Sequence, residues 1–102
     1  MLIIKKIKIK INNQITSLED LFKECDCIES INFKKFNRKN ITNMHSMFSG
    51  CSSLKELNLN NFNTNNVTDM SYMLYLCSSL NELNLENFNT YKVKNIDRKS
   101  VV

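Results

Sequence analysis

Cys25, Cys27, Cys51, Cys77 and His45 are the residues of this chain best suited to chemistry. A thiol beside an imidazole makes a nucleophile and its base, and thiolates with an imidazole hold zinc. The spacing argues against both. Cys25, Cys51 and Cys77 recur once per 26 residues, and only Cys25 and Cys27 are close in sequence. Zinc sites prefer Cys-x-x-Cys pairs or a Cys/His set converging on a tetrahedron. His45 and Cys51 are six residues apart, which at ~100° per residue turns them onto different faces of a helix. With no third group to orient it, His45 reads as an exposed helix position and not as a base. The cysteines read as small hydrophobes packed in a core. A disulfide and a metal site are the weaker alternatives, judged by the geometry each requires. An unpaired set fits a reducing compartment at least as well as an oxidising one. Paired carboxylates, a Gly-rich phosphate loop and a Ser-His-Asp set are not seen. Met44, Met47, Met70 and Met73 read as core filler, not copper ligands. The chain is thus read as a non-enzyme with no catalytic or metal-binding residues and no cofactor.

What positions these residues is a repeat. Residues 15–40, 41–66 and 67–92 superpose without a gap at a 26-residue period, aligning Cys25 with Cys51 and Cys77, and Phe36 with Phe62 and Phe88. A fixed period of about 20–50 residues signals a solenoid. In the second repeat Ile41, Met44, Met47, Phe48 and Cys51 fall on one side of a helix. Thr16, Thr42 and Thr68 stand where helix N-caps belong, Thr16 with Glu19 as a capping box, and Gly50 fits a helix end. Leu57 and Leu59 then alternate with Glu56, Asn58 and Asn60, as in a short strand with one buried face. The expected fold class is α/β: a short right-handed solenoid with one helix and one parallel strand per repeat.

Outside the repeats, Ile7, Ile9 and Ile11 alternate with lysines, so residues 1–14 read as a capping strand, centred on Ile3–Lys10. Residues 93–102 read as a truncated fourth repeat or tail. The apolar run Leu2–Ile4 is too short for a signal peptide, and no membrane span is visible. A net charge of +4 spread along 102 residues argues against a nucleic-acid reader. Nearly all shared repeat positions are explained by packing. What remains is an exposed stripe on the sheet face: Ser30, Asn32, Lys34, Glu56, Asn58, Asn60, Glu82, Asn84 and Glu86. It is the candidate partner-binding surface. Asn37, Asn63 and Asn89 read as turn residues. Asn40-Ile-Thr42 and Asn66-Val-Thr68 fit the glycosylation triplet but arise from the repeat itself.

The motif Leu-x-x-Leu-x-Leu, preceded by Met-x-x-Met-Phe-x-x-Cys-Ser-Ser and followed by Asn-Phe-Asn-Thr-x-x-Val-Thr, resembles the BspA-type leucine-rich repeat. The clearest copies are Met44–Thr68 and Met70–Thr90. The resemblance implies a leucine-rich-repeat solenoid, a cell-surface or secreted location, and adhesion to proteins; it supplies no catalytic residues. The expected function is a protein–protein interaction module, adhesin-like at a surface. The alternative is an intracellular repeat scaffold or a non-functional fragment of a longer array. The partner is a protein, with neither nucleic acid nor membrane insertion, and self-association through the uncapped C-terminal edge is a further expectation.

Overall fold

A computed structural model of the protein describes residues 9–33, 38–59 and 63–83, Glu82 by its backbone alone. Three short strands, β1 (Ser30–Asn32), β2 (Glu56–Asn58) and β3 (Glu82–Leu83), form a parallel sheet in that order. Ser30 pairs with Glu56 and Glu56 with Glu82, while Ile31 pairs with Leu57 and Leu57 with Leu83. The alternation behind this is simple. Glu56 and Asn58 are exposed, and Leu57 and Leu59 are buried.

The other side of each repeat departs from expectation. Among the described residues there is no helix, so the α/β leucine-rich-repeat solenoid with one helix per repeat does not stand. The runs 18–25, 44–51 and 70–77 are instead chains of overlapping turns. In the middle run the N–H groups of Met47, Ser49 and Cys51 donate to the carbonyls of Met44, Ser46 and Phe48, three residues back. The intervening N–H groups, of Met44, Ser46, Phe48 and Gly50, leave the repeat and donate to Asp69, Ser71, Met73 and Tyr75. With the His45 N–H donating to Asn43 Oδ1, every backbone donor of the run is satisfied without a helix. Asp20, Ser46 and Tyr72 at one position, and Glu24, Gly50 and Leu76 four residues on, all have positive φ. A left-handed residue twice per run cannot belong to a right-handed helix. The apolar spacing misleads because three-residue turns repeat with nearly the helical period.

Capping corrects in the same way. The N–H and the hydroxyl of Thr42 both donate to the Thr16 carbonyl, and Thr68 does the same to Thr42. The threonines are ladder rungs between repeats, not helix caps. Glu19 closes no capping box; its N–H donates to Ser17 Oγ. The turn run is opened one residue after each threonine, by Ser17, Asn43 and Asp69, whose side-chain oxygens accept the N–H two residues on.

The core lies between the turn runs and the sheet. Ile41, Met44, Met47, Phe48, Cys51, Leu54, Leu59 and Val67 are fully buried. Phe22 and Phe48 stack at 5.6 Å, and Phe33 meets both edge-on. Of the expected N-terminal strand only residues 9–14 are described, and they hold no strand. Its remainder, Phe36, Asn37, Phe62, Phe88, Asn89 and the tail 93–102 lie outside the described residues.

Candidate interaction surfaces

On the sheet, backbone pairing sets the stripe into rows. Ser30, Glu56 and Glu82 form one row across the strands, and Asn32 with Asn58 forms the next. Ser30, Asn32, Glu56 and Asn58 are exposed. Lys34, Asn60, Asn84 and Glu86 lie outside the described residues. Beside the rows, Lys55 Nζ stands 3.3 Å from Glu29 Oε1 with both side chains more than half exposed. An ion pair so solvated contributes little to stability. The surface is polar and held from beneath by the core residue Leu57.

The turn side carries a cluster that the sequence reading did not single out. His45 is half-buried, not an exposed helix position; its Nδ1 lies 2.6 Å from Ser71 Oγ in the next repeat. Ser71 donates its hydroxyl proton to Asp69 Oδ1 at 2.7 Å, and the same oxygen accepts the Ser71 N–H at 2.9 Å. A serine hydroxyl has one proton, so Nδ1 of His45 supplies the hydrogen in its bond to Ser71. This order is not a hydrolytic relay. There the carboxylate orients the imidazole and the imidazole takes the serine proton; here the carboxylate holds the serine. Tyr72 packs edge-on against both His45 and Tyr75, at 6.0 and 5.4 Å. One signal in the sequence pointed here: 45 and 71 are one period apart, so the two side chains must be neighbours.

The cysteines resolve by burial. All four are free thiols; Cys51 is buried, Cys25 and Cys77 are half-buried, and Cys27 is exposed. The Cys51 thiol donates to the Phe22 carbonyl and the Cys77 thiol to that of Phe48, each at 3.1 Å. Burial, and secondarily the neighbouring Cys77 and Cys25, push the Cys51 thiol from 9.0 up to about 11. Burial raises Cys77 too, and raises Cys25 with help from Cys27 and Asp26. Such thiols are poor nucleophiles. Among the described residues no three His, Cys, Asp or Glu side chains converge as metal ligands.

Several polar side chains tie neighbouring segments of backbone together. Arg38 donates to the carbonyls of Ile11, Asn13 and Ile15 and to Asn40 Oδ1. Asn40 Nδ2 bonds the Asn13 carbonyl and Asn66 Nδ2 that of Lys39, so each glycosylation-like asparagine braces the segment that precedes its own repeat. Asn63 Oδ1 accepts the Asn65 N–H, as a turn residue should. Among the described residues no helix is long and apolar enough to cross a membrane.

Compared with known proteins, the chain matches a family model described as "Mycoplasma protein of unknown function, DUF285" over residues 16–99. Neither the curated proteins nor the solved structures contain a match. The match spans well over half of the sequence, and it overturns the assignment to the BspA-type leucine-rich repeats, along with the leucine-rich-repeat and adhesin labels that rested on it. The chain belongs to the DUF285 family.

Proposed function

We propose that this chain is a protein-interaction module whose partner lies on the exposed face of the parallel sheet. The observation that carries the reading is the register: Ser30 and Asn32 of β1 stand directly beside Glu56 and Asn58 of β2, all four exposed over a buried underside. A rigid backbone presenting rows of polar side chains with no core duty suits recognition, since the partner then immobilises few main-chain degrees of freedom. The proposed stripe also includes Glu82 and, by their positions in the sequence repeat, Lys34, Asn60, Asn84 and Glu86. No cofactor enters this reading, and the partner is a protein, not a nucleic acid or a lipid bilayer.

The ring cluster supports a second reading. Tyr72 and Tyr75 are the kind of side chain that anchors an interface, and they sit on the turn side, away from the sheet stripe. A pull-down with the intact chain separates the two. Asn58→Arg abolishes capture if the partner covers the sheet, and Tyr72→Ala/Tyr75→Ala abolishes it if the partner covers the turn side. Partners retained by the Asn58→Arg chain refute the sheet-face proposal.

A further inference from the structure

The turn runs are joined by backbone hydrogen bonds that all point one way. Leu18, Asp20, Phe22 and Glu24 donate to the carbonyls of Asn43, His45, Met47 and Ser49 in the following repeat. Met44, Ser46, Phe48 and Gly50 donate in turn to Asp69, Ser71, Met73 and Tyr75. Across these runs an N–H always faces the later repeat and a carbonyl the earlier one. The two outer edges are therefore unlike. At the first, the carbonyls of Ser17, Glu19, Leu21 and Lys23 take the acceptor positions, and no described residue donates to them. At the last, the N–H groups of Met70, Tyr72, Leu74 and Leu76 take the donor positions, and no described residue accepts from them. An ordinary strand edge alternates donors and acceptors; here one edge has only acceptors and the other only donors.

Side chains repeat this division. The large apolar residues exposed among the described residues are Ile9, Ile15, Leu21, Tyr72 and Leu76. None belongs to the middle repeat. Leu21 is 37% exposed where its equivalent Met47 is fully buried between two neighbours. Leu76, at the opposite edge, is 61% exposed. Among the described residues each edge of the ladder thus has the surface of a repeat without a neighbour on that side.

We propose that copies of this chain associate head to tail, the 70–76 edge of one copy docking on the 17–23 edge of the next. The occupant follows from the ladder. Continuing its step by one repeat sets the N–H groups of Met70, Tyr72, Leu74 and Leu76 against the carbonyls of Ser17, Glu19, Leu21 and Lys23 of the second copy. The same step sets Leu21 of the second copy beside Met73, as Met47 sits between its neighbours, and sets Tyr72 and Leu76 beside Asp20 and Glu24 of that copy. Two first edges cannot pair in this way, because both offer only acceptors. A contact between unlike edges is heterologous, and it yields open chains unless its rotation closes a ring.

Sedimentation velocity on the full chain, from about 1 µM to about 1 mM, tests this. The weight-average mass should climb with concentration above the 12.0 kDa of one chain. Leu21→Asp and Leu76→Asp each spoil one edge, so each variant alone should remain at 12.0 kDa. Mixed in equal amounts they should form a dimer and nothing larger, because each retains the edge that the other lacks. Circular dichroism checks that both are folded; if one is not, Asp20→Arg or Tyr72→Arg on the same edge replaces it, with the same outcomes. A wild-type chain that stays monomeric throughout overturns the proposal. So does a Leu76→Asp chain that still self-associates, or a mixture that does not dimerise.

Discussion

The middle and first repeats share a period but not an environment. Met47, Phe48 and Ser49 are buried, whereas their equivalents Leu21, Phe22 and Lys23 are exposed or half-buried. Ser46 is buried where Asp20 is exposed. The turn geometry is the same in both runs, with positive φ at Asp20 and Ser46 and again at Glu24 and Gly50. Conformation therefore follows the hydrogen-bond pattern that both runs share and survives a change of burial. Stability is not so shared. It is concentrated in the repeat that has neighbours on both sides, as expected of stacked units that cannot bury their faces alone.

The sharpest break of this comparison is at the stacked rings. Phe48→Ala should cost about 3–5 kcal/mol, the range for an emptied aromatic core site, and Phe22→Ala clearly less. Urea unfolding of the two variants measures the gap; equal losses would mean that both repeats carry the core alike. Next comes Met47→Ala, expected to cost about 2–5 kcal/mol against under ~1 kcal/mol for Leu21→Ala.

The left-handed positions give a smaller effect of either sign. Gly50 has a φ of 78°, and an added Cβ would come within 3.1 Å of Glu24 Cγ. Gly50→Ala should therefore destabilise by about 1–2 kcal/mol. Leu76 holds a φ of 63° in an exposed place, so Leu76→Gly should raise the melting temperature, by about 1 kcal/mol of relieved strain less the entropy that Gly adds to the unfolded chain. A lower melting temperature for Leu76→Gly would show that the exposed side chain stabilises the fold.

The remaining effect is on pH. A thiol whose folded pKa is raised favours the protonated native state. Its contribution is complete below the unfolded value of 9.0 and is lost as pH climbs toward about 11. Urea midpoints should fall between about pH 8 and about pH 10.5, and Cys51→Ala should flatten that slope. An unchanged slope in Cys51→Ala would assign the loss to other groups.

Much of this arrangement was legible in the residues. The 26-residue period gives the strand register, because Ser30, Glu56 and Glu82 are one period apart. The core was legible too: Ile41, Met44, Met47, Phe48 and Cys51, aligned by spacing, are all fully buried. Their backbone was not. Spacings of three and four cannot separate a helix from a chain of three-residue turns, and Gly50 alone among the left-handed positions announces its φ. Asp20, Ser46, Tyr72, Glu24 and Leu76 take that conformation as members of the repeated turn pattern, which no local propensity of these residue types reveals. The His45–Ser71–Asp69 contacts were missed for a related reason. They run between repeats, and only asking what lies one period away exposes them.

The one-way ladder has an electrical consequence. In a sheet, N–H and C=O groups point both ways across the strands and their dipoles largely cancel. In the turn runs each hydrogen bond between repeats adds its moment to the last, as along a helix axis, but here the sum lies across the chain direction. The negative pole falls at the first repeat, where the exposed side chains of Glu19, Asp20 and Glu24 also stand. Each repeat inserted into such an array would lengthen this dipole. The turn runs therefore add a dipolar contribution to the protein's field that grows with repeat number, whatever the net charge.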